Sequence, residues 1–113
     1  MLDHEKLDVY QRAIEFFAIA VQIVDRIPKG NATLSDQLKR ASLSIPLNIA
    51  EGTGKTKSHD KQKFYAIARG SAMECGAIFD ACELLGLIKS PDYEKGKDLL
   101  IRIVSMLTRM CKL

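Results

Sequence analysis

Val9, Ala13, Phe16, Ala20, Ile23 and Ile27 recur at alternating spacings of four and three. That is the period of one buried helix face. It predicts a first helix over residues 7–27. A second apolar line, Tyr10, Phe17, Val21 and Val24, runs beside it. Pro28-Lys29-Gly30-Asn31 supplies turn chemistry at every position and ends the helix.

A second helix is expected from Thr33, with Thr33 as its cap and Asp36 three residues on in a capping box. At 100° per residue its faces separate. Leu34, Leu38, Ala41, Ile45 and Ile49 form one stripe, and Leu43, Leu47, Ala50 and Gly54 lie nearly opposite. Gln37, Arg40, Ser44, Asn48, Glu51 and Lys55 make a polar ribbon between them. Pro46 interrupts this pattern and frees the Ser42 carbonyl. Either the helix kinks there, with a serine hydroxyl or water on that carbonyl, or it restarts at Pro46. Gly52 and Gly54 are expected to end or loosen it.

Ser58 is the expected cap of a third helix reaching residue 87. Its seam is Ala68, Ser71, Cys75, Ile78, Cys82 and Leu85. Gly70, Ala77 and Ala81 form a second strip of small residues, with Glu74 between them. A neighbouring helix packed closely on that strip would explain why glycine is tolerated at Gly70. Gly86 and Ser90-Pro91-Asp92 break the chain again, with Ser90 as the cap of a fourth helix. Its apolar face is Leu99, Leu100, Ile103, Val104, Leu107, Met110 and Cys111, and Lys112 complements its C-terminal dipole.

No segment alternates with the period of a strand. The expectation is one all-α domain over residues 1–113, an antiparallel up-down-up-down four-helix bundle. Helices 1 to 3 carry apolar or small residues on more than one side. A bundle of this size buries one stripe per helix, so the rest should meet another subunit. A head-to-tail ring and a two-fold dimer both satisfy that requirement.

Composition sharpens the picture in four ways. The 113 residues contain 47% hydrophobic and 27% charged positions, a globular balance. The longest apolar run, residues 16–24, is too short for a membrane span, and the acidic start MLDHEKLDVY has no apolar signal region. Three cysteines without framework spacing point to reduced thiols in a cytoplasmic protein. Fourth, the net charge of +3 is uneven. Residues 39–69 hold seven basic groups against two acids, a field that could attract a polyanion.

The candidate chemistry follows from that field. Arg40, Lys55, Lys57, Lys61, Lys63 and Arg69 are the candidate nucleic-acid contacts, with Tyr65 as a nearby ring that could stack on a base or simply pack. Leu43, Ser44, Leu47, Asn48, Glu51, Gly70 and Glu74 are candidates for an oligomer interface or a polar network that fixes helix register. Gly52-Thr53-Gly54-Lys55-Thr56 mimics the end of a phosphate-binding loop, but Ile49 stands where that motif needs glycine and a helix precedes it. Cys75 and Cys82, about 10 Å apart along one helix, are too distant for a disulfide and read as small core residues. His4 and His59 have no metal-ligand spacing and read as solvated. No catalytic residue, metal site or cofactor is assigned.

Several blocks together resemble a known family. These are Leu7-Asp8-Val9-Tyr10 with Ala13, Gln37-Leu38, Arg40-Ala41, Ser44-Ile45-Pro46 and Asn48-Ile49-Ala50-Glu51-Gly52. Phe64, Ala68-Arg69-Gly70-Ser71-Ala72 and Glu74 continue the pattern. The chain resembles the four-helix bundle family of the 23S rRNA intervening-sequence proteins, related to accessory bundles of diversity-generating retroelements. Leu47 departs from a position that is often small and polar there. The resemblance implies a ring, a homopentamer, with an association with RNA or with a nucleic-acid enzyme such as a reverse transcriptase. It supplies no catalytic residues.

Overall fold

The structure, a computed structural model, describes residues 1–111. Four helices carry the fold: α1 (Asp8–Arg26), α2 (Ala32–Thr53), α3 (Ser58–Leu84) and α4 (Ser90–Met110). Short 3-10 turns, Asp3–Lys6 and Lys29–Asn31, precede α1 and α2. The described residues contain no strand. Lys112, expected to complement the α4 dipole, lies outside the described residues.

Each helix packs on two others: α1 and α3 both rest on α2 and α4. The resulting four-helix bundle measures 44 × 23 × 21 Å. Its core follows the predicted stripes. Val9, Ala13, Phe16, Ala20 and Ile23 of α1 are buried, as are Leu38, Ala41, Ile45 and Ile49 of α2. Phe16 reaches across the bundle to Phe79, with ring centroids 5.2 Å apart. Tyr10, Phe17, Val21 and Val24, the second line on α1, are half-buried.

The helix starts differ from expectation. Thr33 and Ser58 are not caps, because α2 begins at Ala32 and α3 at Ser58 itself. Ser90 likewise is the first residue of α4, with Pro91 behind it in the first turn. None of the four N-terminal cap positions makes a side-chain bond. The 3-10 turn at Lys29–Asn31 runs directly into α2, so Thr33 and Asp36 fall past the positions a capping box requires.

Pro46 lies inside a continuous α2 and is buried, so the helix does not restart there. The nearby serine hydroxyls turn elsewhere. Ser42 donates to the Lys39 carbonyl at 3.2 Å, and Ser44 bonds the Ser71 hydroxyl at 2.9 Å.

Gly52 has another role than ending the helix. It lies within α2 and is buried. A Cβ there would sit 2.9 Å from Cε1 of Tyr65 and 3.1 Å from Cβ of Phe64. The missing side chain lets α2 and α3 converge. The expected end of α2 is nonetheless here, at Thr53 with Gly54 in the C-cap position, and Gly86 ends α3. Its φ of 71° is left-handed, Leu87 N–H donates to the Cys82 carbonyl at 2.8 Å, and Gly86 N–H donates to Glu83 at 3.0 Å. This Schellman motif ends α3 at Leu84. Leu85, expected in the seam, is therefore 56% exposed. The seam's period stops where the helix stops.

Gly96 of α4 gives the Phe79 ring its space, and a Cβ there would collide with Cε2. Gly70, by contrast, has no atom of the described residues outside its own helix turn within 4 Å of a Cβ position. Among the described residues, no other helix packs closely at Gly70 itself. Gly96→Ala should lower unfolding free energy by about 1–3 kcal/mol through overpacking. Gly70→Ala should raise it by up to about 1 kcal/mol through helix propensity. Denaturant titration of the two variants measures both signs.

Candidate nucleic-acid interface and the α2–α3 polar row

The turn between α2 and α3 gathers the basic residues of the central segment. Lys55 pairs with Glu51 at 3.0 Å, and its ammonium lies 5.2 Å from the Phe64 ring centroid. Lys63 approaches the same ring at 6.0 Å. Lys61 reaches back to the end of α2 and donates to the Thr53 carbonyl at 2.8 Å. That contact satisfies a carbonyl left open by the helix end and places positive charge at its negative pole. Lys57 is exposed at the α3 N-cap position. Among the described residues, neither Lys57 nor Lys63 has a carboxylate partner.

The two arginines sit apart from this group. Arg40 forms an ion pair with Glu74 across α2 and α3. Arg69 Nε donates to the Thr108 hydroxyl of α4 at 2.8 Å, while Thr108 donates to the Val104 carbonyl. The structure thus brings Lys55, Lys57, Lys61 and Lys63 to one turn and ties Arg40 and Arg69 into helix contacts. Tyr65 packs rather than stacks. Its ring is buried and its hydroxyl bonds Thr53 Oγ1 at 3.0 Å.

The phosphate-loop mimic fails in space as in sequence. Thr53 Oγ1 donates to the Ile49 carbonyl at 2.8 Å, Gly52 is covered by Tyr65, and Lys55 is paired with Glu51. None of these groups is turned toward a shared pocket as a phosphate cradle requires.

The polar ribbon of α2 becomes a row against α3. Arg40 meets Glu74, Ser44 meets Ser71, and Asn48 Nδ2 donates to both the Ser44 carbonyl (2.9 Å) and hydroxyl (3.0 Å). The Arg40–Glu74 pair and the Ser44–Ser71 bond cross between the two helices, whereas the Asn48 bonds stay within α2. Glu51 stands apart from the row, in its exposed i,i+4 pair with Lys55. Leu43 and Leu47 point away from the core, 40% and 58% exposed.

The cysteines are free and buried. Burial pushes the Cys75 thiol up to about 12, the Glu74 carboxylate adds to that shift, and the Arg40 guanidinium opposes it. Burial also raises Cys82 and Cys111, the latter against the charge of Arg69. His59 is exposed, whereas His4 is half-buried and stacks edge-on to Tyr10 with centroids 4.6 Å apart.

A family model described as 23S rRNA-intervening sequence protein matches residues 5–109. The chain belongs to this family. The match spans α1 to α3 whole and all of α4 but Met110. No curated protein matches the chain. The Asn48–Gly52 block that carries the resemblance contributes a row member, a core isoleucine and the glycine that admits Tyr65.

Some polar clusters had no sequence signal. Asp80 accepts from Tyr93 Oη at 2.8 Å and from Lys97 Nζ at 2.7 Å. The Lys97 bond first, then the Tyr93 bond, hold the Asp80 carboxyl below its ordinary range. These residues and the Arg69–Thr108 pair lie on different helices, so no spacing rule links them.

The thiolate is the reactive form of cysteine. At pH 8 a thiol titrating near 12 is thiolate in only about one part in ten thousand. Native protein should therefore leave Cys75 unreacted toward a disulfide reagent while unfolded protein releases all three thiols, as timed thiol titration with and without denaturant will read.

Proposed function

We propose that the chain is a non-enzymatic helical bundle that assembles with copies of itself and meets RNA through the lysines of the α2–α3 turn. The observation that carries the nucleic-acid reading is the pair Lys57 and Lys63, exposed side by side in sequence with Lys55 and Lys61 and without carboxylate partners among the described residues. Repeated around an assembly, a modest patch of this kind becomes multivalent. The description of the family supports the choice of RNA as the polyanion.

The proposal includes an antiparallel up-down-up-down order. Connections of four and five residues between long helices that pack on each other support it. It also includes a closed ring, for which the homopentamer implied by the family resemblance is the working number. Leu43 and Leu47, large apolar side chains left in water on the outer face of α2, support self-association. Phosphate contacts from lysine carry no base preference, so binding should be tolerant of sequence and steeply weakened by salt.

Fluorescence anisotropy with a labelled RNA at two salt concentrations tests the polyanion reading. Lys57→Glu with Lys63→Glu should weaken binding at low salt at least about tenfold. Affinity that is absent at low salt, or flat as salt rises, ends that reading. A specific protein retained through nuclease treatment would redirect it to a scaffold for a nucleic-acid enzyme. Light scattering should give a mass of several chains at micromolar concentration, and a single-chain mass would remove self-assembly.

A further inference from the structure

Phe64 is an aromatic ring at the basic turn that the core does not use. Phe16 and Phe79 are buried, and Tyr65 is buried with its hydroxyl on Thr53. Phe64 is half-buried. Among the described residues it neither packs against the buried core nor pairs with another ring. Its own Cβ lies 3.1 Å from where a Cβ of Gly52 would stand, so the base of the side chain is held against the end of α2. The ring carries two ammoniums, Lys55 Nζ at 5.2 Å from the centroid and Lys63 Nζ at 6.0 Å. Lys57, Lys61 and Phe64 follow one another at spacings of four and three, so they line one face of α3. The turn therefore holds a flat apolar surface inside a ring of cations.

We infer that Phe64 stacks on an unpaired base, with Lys57 and Lys63 on the neighbouring phosphates, so that the turn takes single-stranded RNA in preference to a duplex. The inference rests on the RNA reading above and names the class of RNA. An aromatic ring takes the face of a base while cations follow the backbone, and the two together make a single-strand site. A duplex offers the same phosphates but keeps its base faces stacked inside, so the ring gains nothing from it. The lysines allow the exchange. Lys63 is the more distant of the two on the ring and has no carboxylate partner among the described residues. Ammonium–ring contacts at an exposed site are weak, so Lys63 leaves the ring for a phosphate at little cost. Lys55 stays beside the ring, held by Glu51 at 3.0 Å. The acids of the turn do not cancel its charge. Four lysines, Lys55, Lys57, Lys61 and Lys63, stand against Glu51 and Asp60. Glu51 is engaged by Lys55, and Asp60 lies in the first turn of α3, where the positive pole of the helix attracts it.

Three probes separate bases from phosphates: a uridine-only RNA, which forms no helix, a fully paired RNA duplex of the same length, and inorganic polyphosphate. At one salt concentration the unaltered protein should bind the uridine-only RNA at least about fivefold more tightly than the duplex. The denser charge of a duplex pulls the other way, so the preference cannot come from the lysines alone. Phe64→Leu keeps an apolar side chain and removes the flat ring. Its affinity for the uridine-only RNA should fall at least about fivefold relative to its affinity for polyphosphate. The chain has no tryptophan, so Phe64→Trp places a single indole at the site. Its emission should be quenched as the uridine-only RNA saturates it, and quenched less by polyphosphate. A duplex bound as tightly as the single strand overturns the inference. So does a Phe64→Leu variant with undiminished RNA affinity, or an indole whose emission does not move at saturation. In each of these cases lysine-driven RNA binding stands. If the unaltered protein binds neither RNA at low salt, the RNA reading fails together with this inference. Circular dichroism identifies a variant that unfolds, and the duplex comparison then decides the question on the unaltered chain.

Discussion

The close approach of α2 to α3 is the constraint on which the remaining structure depends. The contact between these two helices is the most extensive in the bundle. Small groups meet there: Ser44 of α2 bonds Ser71 of α3, and Gly52 of α2 leaves room for Phe64 and Tyr65 of α3. Tyr65 fills the space that Gly52 leaves and binds Thr53, locking the end where the lysines gather. Short polar groups at such a contact must bond within it, since water is largely excluded. The Ser44–Ser71 bond meets that need across the contact, and Asn48 braces Ser44 from within α2.

That contact has consequences for the surface. With Asn48 and Ser44 turned toward α3, Leu43 and Leu47 turn outward, because they lie on the far side of the same helix. Lys61 then folds back onto the α2 carbonyls, leaving Lys57 and Lys63 to define the open part of the basic turn. The basic field in the sequence is thus larger than the field the fold leaves free. Arg40 and Arg69 contribute charge to it from positions committed to Glu74 and Thr108.

Much of the fold was legible in the residues. The core stripes of α1 and α2 and the seam of α3 up to Cys82 follow from apolar period alone. The errors cluster where a local signal competes with a neighbour in space. Gly52 and Gly54 mark the α2 end correctly, but the second use of Gly52, the volume it leaves for Tyr65 and Phe64, is revealed only by the α3 side chains. Leu85 continued the seam on paper, but the left-handed Gly86 ends α3 and turns the chain away. Thr33 and Ser58 were plausible caps whose helices begin slightly earlier than a cap would allow.

Sequence by itself determined the helical periods, the uneven charge, the odd face of α2 and the family. These are properties of nearest neighbours along a chain, and a period of 3.6 converts them into faces. Only the tertiary structure decided which lysines are free, that Tyr65 is packing, and that Met73, Gly76 and Ile101 line one groove. The reason is physical. Ion pairs, hydrogen bonds and van der Waals contacts act over a few ångströms, and the groups that make them here come from helices tens of residues apart. No spacing within one helix encodes Asp80 against Lys97 or Arg69 against Thr108. Those partners exist because α3 and α4 pack side by side.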